Sequence, residues 1–161
     1  MTTAQQVREV LSHVTDPEIP IITIADLGVL RDVTVEGAAI TVTITPTYSG
    51  CPAMQEIRAD ITSALAAHGL LDVTVRTVLS PAWTTAWMTE QGRQALREWG
   101  IAPPTVQAGG PVPLQLGKRP ISCPQCGSND TEELSRFAST SCKALWRCRS
   151  CREPFDHFKD H

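Results

Sequence analysis

Four cysteines in the last third of the chain have the types and spacing of a metal site. Cys123-Pro124-Gln125-Cys126 and Cys148-Arg149-Ser150-Cys151 are two CxxC pairs separated by 21 residues. In each pair a tight turn lets two thiolates converge on one ion while backbone amides hydrogen-bond the sulfurs. Two such pairs complete a tetrahedral shell with metal–sulfur bonds of about 2.3 Å. The separation is slightly wider than the usual ~15–20 residues, which leaves room for a β-hairpin between the two knuckles, as in a zinc ribbon. A closed shell of four sulfurs has no open position, so the chemistry expected is structural and not catalytic. Zinc is the expected ion, because closed four-cysteine knuckles are its commonest structural use. Four thiolates also satisfy an iron–sulfur cluster, and that alternative stays open. Cys142 stands six residues before Cys148 and is read as a buried small hydrophobe, with a spare ligand or a redox thiol as alternatives. His157 and His161 are ligands by type. The shell is already full, so they are read as solvated.

A second constellation lies earlier. Asp16-Pro17-Glu18, Asp26-Leu27-Gly28 and Thr47-Tyr48-Ser49-Gly50-Cys51-Pro52 gather polar groups in loops, where sites tend to form. Cys51 directly precedes a helix, whose positive end is expected to lower a thiol's pKa and make it a better nucleophile or ligand. The competing reading is that Cys51 packs inward and the acids serve as caps and turn residues. From residue types alone the balance leans slightly to packing. The chain has no nucleotide-binding glycine loop, HExxH sequence, serine-triad pattern or recognisable carboxylate pair.

The elements that must position these groups follow from periodicity. Val7, Val10, Leu11 and Val14 form a helical stripe over residues 4–13, stopped by Asp16-Pro17. Residues 29–35 and 39–45 read as two strands joined by a Glu36-Gly37 turn, with Ile40, Val42 and Ile44 alternating against threonines. Pro52 opens a helix with Met54, Ile57, Ile61, Ala64 and Leu65 on its buried stripe, ended by Gly69. Val73, Val75, Thr77 and Leu79 alternate as a third strand. Residues 84–99 read as one amphipathic helix packing Trp87, Leu96 and Trp99. The fold class is therefore a small α/β (α+β) domain, helix-strand-strand-helix-strand-helix, with a three-stranded mixed sheet. The strand–helix–strand crossover makes two of its strands parallel. The expected organisation is a first domain over 1–100, a Pro/Gly linker over 101–120 and a four-cysteine ribbon over 121–161.

Bulk properties narrow the function. The 161 residues are 42% hydrophobic and only 5% aromatic, with a formal net charge of −3. That excludes extensive disorder, and argues against a base-stacking surface or a global attraction to nucleic acid. The charge is divided. Residues 1–117 hold six Arg, no Lys and eleven acids, whereas residues 118–161 hold eight basic and six acidic residues. Without lysine, the first domain can do no Schiff-base chemistry. No leader-like segment and no membrane-length apolar run are present. A cytoplasmic protein is expected, where thiols remain reduced and crowded cysteines bind metal.

Taken together, Asp16-Pro17-Glu18-Ile19-Pro20, Asp26-Leu27-Gly28, Thr45-Pro46-Thr47-Tyr48-Ser49-Gly50-Cys51-Pro52 and the element order resemble the small domain of iron–sulfur assembly factors and SufT-type maturation proteins. The appended ribbon, with Ser139-Thr140-Ser141-Cys142-Lys143 between its knuckles, narrows the resemblance to the PaaD-type accessory subunits of the phenylacetyl-CoA epoxidase system. It extends over essentially the whole chain. The resemblance implies a non-enzymatic factor in phenylacetate catabolism that helps assemble a metal centre of the oxygenase or its reductase. It places the family's loop cysteine on Cys51 and its acids on Asp16, Glu18 and Asp26, as a transient iron or cluster site. It also makes Cys142 part of the family pattern. Partners are then the reductase or di-iron subunits, with no membrane. A second copy's Cys51 would complete a shared site in a homodimer. Two alternatives compete, a structural subunit of the complex and a nucleic-acid-binding ribbon using Arg136, Lys143, Arg147, Arg149 and Arg152. A redox enzyme using Cys51 and Cys142 is more distant.

Overall fold

In the computed structural model, residues 2–105 and 119–161 are described. The chain divides into two compact units, one ending at Gly92 and the other beginning at Arg93.

The first unit opens with α1 (Ala4–Leu11). Thr3 caps it through a capping box with Gln6, a device that contributes about 1 kcal/mol. Val7 and Leu11 are the buried members of its stripe. Residues 12–29 form an ordered loop that buries Val14, Ile19, Ile22, Ile24, Leu27 and Val29, which explains its apolar side chains without any helical period. Strands β1 (Leu30–Glu36) and β2 (Ala39–Ile44) pair antiparallel, and β3 (Val73–Thr77) joins β2 in parallel. The order β1-β2-β3 makes the expected three-stranded mixed sheet. The crossover is α2 (Ala53–Ala66), which buries Ala53, Ile57, Ile61 and Leu65. Ile40, Val42 and Ile44 are almost wholly buried, as their alternation with threonine requires.

Two expectations fail here. The third strand stops at Thr77, and Leu79 is exposed. Residues 84–99 are not one helix either, since a short 3₁₀ turn at Thr85–Trp87 precedes α3 (Glu90–Glu98). Thr89 causes the break. Its hydroxyl accepts from the Gly92 N–H at 3.0 Å, capping α3, while its own N–H and hydroxyl are held by Asp26. Leu96 is buried as expected, Trp99 is 65% exposed, and Trp83 and Met88 are buried.

The second unit contains β4 (Ile101–Ala102), β5 (Thr131–Ser135), β6 (Lys143–Cys148) and β7 (Pro154–Phe158) in a sheet of order β4-β7-β6-β5. The hairpin expected between the knuckles is β5–β6. Two features differ from expectation. Ile101 and Ala102, at the start of the expected linker, pair with β7, and the compact unit that contains them begins at Arg93. Most of the expected Pro/Gly linker, residues 106–118, lies outside the described residues. The ribbon also has its own apolar core of Ala102, Ile121, Cys123, Ala144, Trp146, Cys148 and Phe155. Two of the four knuckle cysteines, Cys123 and Cys148, are therefore embedded in hydrophobic packing.

Candidate functional site

The structure brings the four knuckle cysteines together. Their Sγ atoms all lie within 4.8 Å of one another. Cys123 and Cys151 are 3.7 Å apart, and Cys126 and Cys148 3.6 Å. Disulfide sulfurs would lie about 2 Å apart. A tetrahedron with metal–sulfur bonds of about 2.3 Å has edges of about 3.8 Å. The cluster therefore has the dimensions of a single-ion shell. Cys123 and Cys148 are buried, while Cys126 and Cys151 face outward.

Each knuckle is a turn with a left-handed residue after its second cysteine. Gly127 takes this place in the first, at φ 74°, and Arg152 in the second, at φ 66°. The Gly127 N–H bonds to the Cys123 carbonyl at 2.9 Å, and the Cys151 N–H reaches Cys148 Sγ at 3.5 Å. The Ser128 and Ser150 hydroxyls, 2.8 Å apart, tie one knuckle to the other. Without an ion the thiols titrate unequally. Cys148 is drawn down to about 6, chiefly by the Cys151 N–H. The Glu153 N–H pulls Cys151 the same way, but burial and the three other cysteines outweigh it and push the thiol up to about 12. Of these two, the Cys148 thiolate is readily formed and that of Cys151 awaits a cation.

Cys142 is not part of this cluster. It is buried, and its Sγ lies 3.0 Å from the Thr140 hydroxyl. This matches the reading of a small buried hydrophobe. His157 departs from expectation. It is 6% exposed, not solvated, and burial pushes its imidazole below the ordinary value. The strand period held the clue, because His157 is two residues from Phe155 and shares its face.

The second constellation also assembles, in part. Cys51 sits just before Pro52, the N-cap of α2, on a turn shaped by Gly50 at φ 80°. Its N–H bonds to the Tyr48 carbonyl at 3.2 Å. Asp16 is buried, and its Oδ1 accepts the N–H groups of Glu18 and Ile19 at 2.8 and 2.9 Å. That turn carries Asp16 and Glu18 to the electrostatic surroundings of Cys51.

The expected lowering of the Cys51 pKa is overturned. Burial pushes the thiol up. The Ala53 N–H lowers it, the Glu18 carboxylate raises it again, the Thr47 hydroxyl lowers it, and Asp16 adds a final upward push. The helix end acts in the predicted direction, but desolvation with two carboxylates exceeds it. Thr47, the first residue of the segment singled out in the sequence, is thus a direct partner of the thiol. Asp26 is not among the groups acting on Cys51. Its two carboxylate oxygens accept the hydroxyls of Thr23 at 2.9 Å and Thr89 at 2.7 Å, a task of fastening the loop to the start of α3.

Three basic residues of the ribbon are matched by acids. Arg147 and Arg149 both bond to Glu132, the latter at 2.9 Å. Lys143 is buried, 3.2 Å from Asp156. No helix among the described residues is long and apolar enough to cross a membrane.

Comparison with known proteins gives three findings. Residues 108–159 match the family model of the PaaD zinc beta ribbon domain, and residues 4–78 match that of iron–sulfur cluster assembly proteins. A protein of Escherichia coli (strain K12) is 49% identical over 157 residues, which is 96% of this chain and 93% of that protein. That relative is provisionally named as one of the subunits of 1,2-phenylacetyl-CoA epoxidase. Two solved structures share the fold of the first unit, each aligned with 58% of this chain. One is a domain of unknown function (DUF59) from Bacillus anthracis, with TM-score 0.55, 28% identity and 90% of that chain covered. The other is a conserved hypothetical protein from Thermotoga maritima, with TM-score 0.50, 26% identity and 92% covered.

Proposed function

The chain belongs to the PaaD family of phenylacetyl-CoA epoxidase subunits, and from that membership we propose that it is a non-catalytic factor assisting metal-centre assembly in the epoxidase system. Iron, or a small cluster, is the cargo. Cys51, Asp16 and Glu18 receive it, and the ribbon, closed by zinc, recognises the client subunit.

One observation carries this reading. A half-buried thiol stands at a helix start inside the field of two carboxylates drawn from a different loop. Burial is the main cause of the thiol's raised pKa, and that field adds to it because it disfavours a further negative charge, and for the same reason it attracts a cation. Metal binding then expels the thiol proton, and the new charge is balanced by the ion. One thiolate and two carboxylates make a weak site, which suits a carrier that must release what it holds. The ribbon has no open metal position, so its cluster supplies rigidity and not chemistry. The single-ion dimensions of that cluster favour zinc over a multi-iron cluster, whose thiolates stand farther apart. A protein from which the ion could be removed, with zinc near one equivalent and no visible absorbance, would agree with this assignment.

The test is reconstitution of the client's cluster with full-length protein. Cys51→Ala should slow transfer at least tenfold, and Glu18→Gln should slow it less, with zinc content and melting temperature unchanged. Transfer at the wild-type rate by Cys51→Ala would remove Cys51 from the mechanism. The relative's designation as a subunit favours a second reading, a permanent structural component. Stoichiometric co-elution with the oxygenase subunits after maturation would select it. The ion-paired state of Arg147, Arg149 and Lys143 speaks against the nucleic-acid alternative.

A further inference from the structure

The four thiolates that give the ribbon its rigidity differ in their access to solvent. Cys123 and Cys148 are buried in the apolar core with Trp146 and Phe155, whereas Cys126 and Cys151 are exposed. Each exposed sulfur touches a buried one of the opposite knuckle, Cys151 with Cys123 at 3.7 Å and Cys126 with Cys148 at 3.6 Å. Two bonds hold the knuckle regions in this register. The Ser128 and Ser150 hydroxyls lie 2.8 Å apart, and the Arg149 N–H bonds to the Asp130 carbonyl at 2.8 Å. Cys142, the remaining cysteine of this unit, is buried outside the cluster, against Thr140.

A thiolate reacts with a peroxide only where the oxidant can reach it, and the sulfenic acid that results condenses with a thiol beside it. The exposed sulfurs of Cys126 and Cys151 meet the first condition. Their contacts with Cys148 and Cys123 meet the second, since each pair needs to close by less than about 2 Å to reach a disulfide bond of ~2.05 Å. Which sulfurs join decides what remains of the fold. A bond inside one CxxC turn leaves the other knuckle loose once the ion is gone. A bond between the knuckles closes a long loop around the β5–β6 hairpin and keeps its base stapled.

We propose that the cluster is a reversible, peroxide-sensitive staple whose first disulfide crosses the knuckles. The thiolate of Cys126 or Cys151 attacks the O–O bond of hydrogen peroxide, forming a sulfenic acid and releasing hydroxide. The touching thiolate, Cys148 or Cys123, then attacks that sulfur. An S–S bond forms, the S–O bond breaks and a second hydroxide leaves. Two thiolates have lost two electrons and the peroxide has gained them. The shell keeps two of its four thiolates, short of the closed set that a structural site needs, and releases its ion. A dithiol reductant cleaves the bond and restores the shell. Zinc filling the shell, the reading under Proposed function, is the starting state, and no step involves Cys51.

The experiment treats full-length, zinc-loaded protein with excess hydrogen peroxide while a chromogenic chelator reads free zinc. Alkylated tryptic peptides are then mapped by mass spectrometry. Trypsin cuts after Arg149, which separates Cys148 from Cys151 but leaves Cys123 and Cys126 on one peptide. A link from that shared peptide to either single-cysteine peptide therefore reports a bond between knuckles, and fragmentation assigns the sulfurs. Zinc should leave at least tenfold faster than without peroxide, in step with the loss of two thiols, and most of the disulfide should be Cys123–Cys151 or Cys126–Cys148. Near-ultraviolet circular dichroism of Trp146 should persist in the oxidised protein, fade in reduced protein stripped by chelator, and accompany full zinc uptake after dithiothreitol. Cys142→Ser should release zinc within twofold of the wild-type rate. Zinc retained under peroxide overturns the proposal, as do disulfides confined to single knuckles, a Cys142 disulfide, or packing lost on oxidation. Absence of zinc before treatment would overturn the zinc reading instead, and the disulfide map would still decide the pairing.

Discussion

Cys148 and Cys142 lie six residues apart, both are buried, and the structure gives them opposite roles. Cys148→Ser changes little volume, so its effect isolates the loss of one metal–sulfur bond from the loss of packing. Structural zinc contributes roughly 10–16 kcal/mol of apparent binding free energy, and an equal share among four ligands is about 2.5–4 kcal/mol per bond. At about 1.4 kcal/mol per factor of ten, metal affinity should fall by about two to three orders of magnitude. Because Cys148 also belongs to the core with Trp146 and Phe155, the loss should appear as unfolding of the second unit and not only as a looser ion. Competition with a chromogenic chelator measures the affinity, and near-ultraviolet circular dichroism follows the packing around Trp146. Cys142→Ser is the internal control. It should keep one equivalent of metal at wild-type affinity and cost only about 1–2 kcal/mol, from placing a hydroxyl in a buried site. If Cys148→Ser binds metal within threefold of wild type, or if Cys142→Ser releases it, the ligand assignment and the reasoning behind it are wrong.

Three further outcomes are expected. Arg152 holds a left-handed conformation in the place where the first knuckle has Gly127, so Arg152→Gly should relieve about 1 kcal/mol of strain and raise the melting temperature of the ribbon; a lower temperature would show that the arginine side chain outweighs the strain. Cys51 is protonated through neutral pH because its pKa is raised, so its alkylation, followed by peptide mass spectrometry, should inflect at higher pH than free cysteine, and Glu18→Gln should move the inflection down. An inflection below that of free cysteine would contradict the burial argument. Gly28 has φ 82°, and an added Cβ would come within 2.7 Å of Trp87; Gly28→Ala should therefore destabilise the first unit by roughly 2–4 kcal/mol in urea unfolding, and a cost under 1 kcal/mol would mean the turn and Trp87 can shift together.

The elements with a strong period or a fixed spacing are legible in the order of residues. Strand β2 announces itself through Ile40, Val42 and Ile44 between threonines, and α2 through Ile57, Ile61 and Leu65 at helical intervals. The metal site follows from two CxxC pairs, since a knuckle is a local turn and needs only its own residues. Misreadings arise where a distant partner decides. Residues 84–99 carry helical periodicity throughout, but Asp26, 63 residues away from Thr89, captures its hydroxyl and starts the helix there. Ile101 and Ala102 look like the beginning of a linker until β7, more than fifty residues later, pairs with them.

The same division applies to the sites. Sequence alone determined that Cys123, Cys126, Cys148 and Cys151 form a four-cysteine cluster suited to a metal, because ligand type, spacing and turn chemistry are all local properties. Only the tertiary structure decided the character of Cys51, whose helix-end position favours a low pKa. Burial and the carboxylates of Asp16 and Glu18 reverse that preference, and burial and charge proximity are properties of the folded surroundings that no stretch of chain contains. Trp146 Nε1 and His157 Nε2, both buried without a hydrogen-bond partner among the described residues, belong to the same class. A residue's type says what it can donate or accept, but only the packed fold shows whether a partner was supplied.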